Sequence, residues 1–81
     1  MTRNEIEEGV QEILVIAIAD PKVKITGTLG FLIDLGFDHL EIGQLQMNLE
    51  DEFNISVTDA EITDAATVDG VIDLIEKKLA G

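Results

Sequence analysis

The stretch from Phe31 to Phe53, FLIDLGFDHLEIGQLQMNLEDEF, decides the fold. Its first residues, Phe31-Leu32-Ile33-Asp34-Leu35-Gly36, form a short apolar turn closed by a glycine. A run this short plugs a core rather than building a long element. Asp38 and Glu41 follow at capping-box spacing, in which each side chain satisfies the other's free backbone N–H at a helix start. Beyond them Ile42, Leu45, Leu49 and Phe53 recur on one helical face. Leu40, Gln44, Met47 and Asp51 fall on the opposite face. Gly43 sits inside this helix, where it costs about 1 kcal/mol relative to alanine.

Helical signals recur on both sides of this stretch. Thr2 and Glu5 have the capping-box spacing, and Ile6, Val10, Ile13, Leu14 and Ala17 then mark a core face. Asp20-Pro21 stops that helix, because proline has no N–H and disfavours α for the residue before it. Residues 22–30 read as a loop with two glycines. After Phe53, Ile55 and Val57 alternate in an extended connector, and Thr58 with Glu61 starts a short third helix. Thr67 caps the last helix, whose core face is Val68, Val71, Ile72, Ile75 and Leu79. Lys77 and Lys78 lie in its final turn, where cations suit the helix dipole. No strand pairing is suggested. The expected fold is all-α: a four-helix bundle with a long loop after helix 1 and a very short helix 3, one domain over residues 1–81.

Composition narrows the function. The 81 residues carry a net charge of −12, and between Ile25 and Glu76 there are twelve carboxylates and no Lys or Arg. Nucleic acid and anionic membranes demand the opposite sign. There is no cysteine, hence no disulfide, thiolate metal site or cysteine nucleophile. The apolar run from Ile13 to Ala19 is preceded by carboxylates where a signal peptide needs positive charge, and it is far shorter than the ~20 residues that span a bilayer. A soluble, cytoplasmic, monomeric protein is expected.

The frame around Asp38 resembles the heart of the acyl carrier protein family. That family's pattern runs from an aromatic and an apolar pair around an acidic residue, through Leu-Gly and Asp-Ser-Leu, to a helix ending in acidic residues and Phe. Asp34-Leu35-Gly36, Asp38, Leu40 and Glu50-Asp51-Glu52-Phe53 match it, and the chain from Ile55 to Ile75 follows without a gap. The resemblance implies that the family cofactor, 4'-phosphopantetheine, would attach by a phosphodiester at the serine position, where His39 stands. An imidazole offers no hydroxyl for that bond, so no cofactor is expected. Thr26, Thr28 and Ser56 do not follow an Asp at a helix start. The resemblance further implies a partner-docking surface formed by Asp38, Leu40, Glu41, Gln44, Met47, Glu50 and Asp51, matched to basic patches of fatty-acid or polyketide synthesis enzymes.

His39 has no companions that would make it a catalytic or metal-binding residue. It is the one histidine, and Asp38 and Glu41 are accounted for as a cap. Neither Asp34–Asp38 nor Asp59–Asp69 fits a calcium loop. The reading is a carrier-family protein that cannot be loaded and acts as a partner-docking or regulatory module, not an enzyme. One alternative is an ordinary carrier whose serine was exchanged for His39 by engineering to lock the apo form. Another is a noncovalent lipid binder opening between Ile42, Leu45, Leu49, Val71 and Ile75.

Overall fold

Thr2, Asp38 and Thr58 each cap a helix. In each case the side chain three residues on, Glu5, Glu41 or Glu61, bonds back to the cap's N–H. The computed structural model describes residues 1–80. Its helices are α1 Arg3–Ile18, α2 His39–Phe53, α3 Asp59–Ala65 and α4 Val68–Ala80. α1 packs against both α2 and α4, and the short α3 bridges α2 and α4. α1 ends two residues before Asp20-Pro21, with Ala19 in the left-handed conformation bonded back to the Val15 carbonyl. Asn54 closes α2 in the same conformation.

The core is aliphatic with three phenylalanines. Ile6, Val10 and Leu14 from α1 meet Ile42, Leu45, Leu49 and Phe53 from α2, Ile62 from α3, and Val68, Val71, Ile72 and Ile75 from α4. Ile42, Leu45, Leu49, Val71 and Ile75 are each at most 3% exposed, so the interior between them is closed. Val57 in the connector is buried, and Ile55 packs partly against the same core.

The structure corrects the sequence reading at several positions. Ala17 is exposed, and Ile18 packs against the core in its place. The buried stripe of α1 advances in steps of four residues, from Ile6 through Val10 and Leu14, and the next step lands on Ile18. Leu79 is 39% exposed, because α4 runs a turn past Ile75, its last fully buried residue. In the apolar turn Phe31 and, just beyond it, Phe37 enter the core and Leu35 packs partly against it, while Leu32 and Ile33 face outward at 48% and 92% exposed. A tight turn cannot direct consecutive side chains inward. Strand-like pairing also occurs, as an isolated antiparallel bridge between Gly30 and Thr67.

That bridge belongs to a backbone seam joining the long loop to α4. The first N–H groups of a helix have no partner within it. Here the Leu29 carbonyl accepts from Val68 N–H at 3.0 Å and the Gly27 carbonyl from Asp69 N–H at 2.8 Å. Thr67 Oγ1 accepts from Gly70 N–H at 3.1 Å, as the sequence led us to expect. The loop thus serves as the cap of the last helix.

Ion pairs add little to this frame. Arg3 Nη1 reaches Asp73 at 2.6 Å and Glu76 at 3.3 Å, tying the start of α1 to α4. Lys78 Nζ reaches Glu61 at 3.0 Å, tying α4 to α3. Such exposed pairs typically contribute under about 1 kcal/mol. The Lys78 ammonium, and then the Thr58 N–H, hold the Glu61 carboxyl below the usual value of 4.5.

Two helix glycines should respond oppositely to a methyl group. A Cβ at Gly43 meets nothing within 4 Å, whereas one at Gly70 collides with the Ala65 carbonyl. Gly43→Ala should raise stability by about 1 kcal/mol. Gly70→Ala should lower it by about 1–3 kcal/mol. Urea unfolding midpoints at unchanged slope will measure both. Glu61 provides a pH test. Its lowered carboxyl stabilises the fold above 4.5, and that contribution is lost as pH falls through the folded value. Glu61→Gln should therefore melt below the parent near neutral pH, and the gap should narrow as pH falls below 4.5 and through the folded value. A gap that persists in acid would show that the effect does not arise from the charge on Glu61.

Candidate functional site

The turn before α2 is built to aim one residue at solvent. Phe31 is 1% exposed, and its N–H donates to the Ala66 carbonyl at 3.0 Å. Asp34 Oδ2 accepts from Gly30 N–H at 2.7 Å, and the Gly30 carbonyl accepts from the N–H groups of Asp34 and Leu35. Gly36 takes a φ of +63°, a conformation that costs a glycine nothing. Phe37 then returns its N–H to the Phe31 carbonyl at 2.9 Å, and the two rings stack with centroids 6.1 Å apart. The chain is thereby held on the core at Phe31 and Phe37 and leaves it at Asp38.

Asp38 and Glu41 close the cap of α2. Asp38 Oδ1 accepts from Glu41 N–H at 2.9 Å, and Glu41 Oε1 from Asp38 N–H at 3.0 Å. His39 is the first helical residue, and its side chain is 89% exposed. Its Nδ1 lies 4.0 Å from Asp59 Oδ2 on α3, beyond hydrogen-bond range. Asp59 Oδ1 is shielded from solvent and has no hydrogen-bond partner. Among the described residues, no three His, Asp or Glu side chains gather in a way that could hold a metal ion. The first turn of α2 offers solvent an imidazole, the capping carboxylates and Leu40, and no hydroxyl.

Most of the residues anticipated as a docking surface lie on one exposed face. Leu40 is 80% and Met47 59% exposed, and Asp38, Glu41, Gln44 and Asp51 are exposed beside them. Gln44 is within 3.4 Å of Asn48, a contact on the helix surface. Glu50 is placed differently. It is half-buried, and its Oε2 accepts from Val57 N–H at 3.0 Å. Gln46 Nε2 donates to the Val57 carbonyl at 2.8 Å, so Gln46 and Glu50 together satisfy both backbone groups of a buried connector residue. The sequence reading missed Gln46. The signal was its four-residue spacing from Glu50, on the flank between the core and outward faces.

Among the described residues, no helix is long and apolar enough to cross a membrane. A family model described as a phosphopantetheine attachment site matches residues 5–75. An acyl carrier protein of Exiguobacterium sp. strain AT1b is 38% identical over 79 residues, covering 98% of this chain and all of its own. One from Petrotoga mobilis is 34% identical over 98% of this chain and 93% of its own length. The solved structure of the acyl carrier protein from Enterococcus faecalis superposes with a TM-score of 0.79 at 27% identity, over 96% of this chain and 99% of that one. The turn, the capped helix and the four-helix order thus coincide with sequence similarity along almost the whole chain, which belongs to the phosphopantetheine-binding acyl carrier protein family.

Proposed function

We propose that this chain is a family member that cannot be loaded: it keeps the docking face of α2 and takes no 4'-phosphopantetheine. Acyl carrier proteins are carriers and not enzymes, and the family works with the enzymes of fatty-acid synthesis. The observation that carries this reading is the side chain of His39. The apolar turn and the Asp38 cap are complete, yet the residue they present, 89% exposed, is an imidazole. The arm is held by a phosphodiester, which requires a hydroxyl oxygen, so the donors present at this helix start do not fit the group. The function assigned is docking or regulatory.

Asp38, Leu40, Glu41, Gln44, Met47 and Asp51 supply the docking face in this proposal, with Glu50 adding charge at its edge. Acidic groups there steer basic patches of fatty-acid or polyketide synthesis enzymes toward α2. Leu40 and Met47 then give apolar contact, the thioether adapting to the partner's shape. The closed core offers no observation favouring a noncovalent lipid site.

Intact mass spectrometry tests the proposal, before and after incubation with coenzyme A and a broad-specificity phosphopantetheinyl transferase. The chain should gain no mass, while a His39→Ser variant should be modified fully. Addition of one phosphopantetheine to the unaltered chain would overturn the reading and make it a working carrier.

A further inference from the structure

The helix glycines Gly9, Gly43 and Gly70 do not share one explanation. A methyl group on Gly9 would lie 2.7 Å from Phe53 Cζ, so glycine there lets α1 pack closely on the end of α2. A methyl on Gly70 would collide with the Ala65 carbonyl, so glycine there lets α4 pass the end of α3. Gly43 lies inside α2, and a methyl on it would meet nothing within 4 Å. Glycine in a helix interior costs about 1 kcal/mol relative to alanine, and at Gly43 no contact within the fold offsets that cost. A residue that lowers stability without a packing reason is a candidate for a role in binding.

The gap at Gly43 has a defined rim. Residues three and four apart are neighbours on a helix surface, and for Gly43 these are His39, Leu40, Gln46 and Met47. Leu40 and Met47, 80% and 59% exposed, border the gap on the outward side. On the side of α3 and its connector, Gln46 is held by its bond to the Val57 carbonyl, and the exposed His39 lies 4.0 Å from Asp59. The backbone of α2 is therefore open to close approach between two uncovered apolar side chains.

We propose that this gap is the specificity element of the docking face, receiving one large apolar side chain of a basic protein partner. The inference rests on the docking reading of α2 given above. Charge selects the partner. Asp38, Glu41 and Asp51 are exposed on or at the head of α2, and no Lys or Arg occurs between Ile25 and Glu76. An acidic partner would be repelled. Size selects the anchor. A small side chain would leave the space at Gly43 empty, whereas a Leu or Phe fills it and brings Leu40 and Met47 against its flanks. Interface energy concentrates where such an anchor enters a recess whose rim excludes water.

The probes are helical peptides rich in lysine and arginine, identical except for Ala, Leu or Phe at one central position. They are titrated into the full chain at low ionic strength, where attraction between exposed charges is least screened. The Leu and Phe peptides should bind the parent about tenfold more tightly than the Ala peptide, with the largest amide shifts around Gly43. Gly43→Leu fills the gap and should remove that preference. Gly43→Ala should melt above the parent yet bind the Leu and Phe peptides more weakly, an opposition that a purely structural role for Gly43 would not produce. Asp51→Lys should weaken all three peptides alike. Equal affinity of the three peptides for the parent would overturn the proposal, as would an unchanged preference in Gly43→Leu. Binding on α2 that ignores the central residue would strike out the gap and leave the docking face standing. No binding on α2 by any of the peptides would overturn both.

Discussion

The structure turns on the seating of Phe31. Its ring is buried and stacked on Phe37, and its backbone bonds in two directions, to Ala66 at the junction of α3 and α4 and to Phe37 at the approach to α2. This residue fixes three things at once. It anchors the middle of a loop that would otherwise cross the bundle without support. It holds Leu29 and Gly27 where their carbonyls cap α4. It also sets the point from which the chain reaches Asp38, so the direction of α2 and the exposure of His39 follow from it. In a domain of this size the burial of one aromatic side chain is a large share of total stability.

Around that anchor, charge and packing divide the work. Among the described residues, the core contains no buried polar or charged side chain. The few cations that form ion pairs, Arg3 and Lys78, stitch helix ends at the surface, where water and salt weaken them. Most other carboxylates face solvent, and their mutual repulsion opposes compaction. The fold tolerates this because the capping boxes put several carboxylates where free N–H groups and helix dipoles favour negative charge. Part of the acidity thus has a structural use, at the helix starts and at Asp34 and Glu50, which accept from Gly30 and Val57 N–H.

Much of this was legible in order along the chain. The three capping boxes, the core face of α2 and the outward placement of Leu40, Gln44, Met47 and Asp51 follow from spacing, since helical periodicity and cap chemistry are local. His39 was also legible, as the side chain following an Asp at a helix start. Ala17 and Leu79 were misplaced because periodicity gives the face of a helix but not how far the neighbouring helices extend to cover it, and Leu32 and Ile33 because a tight turn cannot direct consecutive side chains inward. Glu50 was read with the outward face, and its bond to Val57 depends on where a connector seven residues away comes to lie.

The amino-acid sequence by itself determined the number and order of helices, the starts of α1, α2 and α3, the acidic face and the absence of a hydroxyl at the head of α2. Each is set by neighbours within a turn or two or by composition. Only the tertiary structure decided that the loop caps α4, that Gln46 and Glu50 brace Val57, that the core is closed, and that Val15 and Ile16 are left uncovered. These depend on backbone groups and surfaces distant in the chain, whose meeting is fixed by how the helices pack and not by any local pattern.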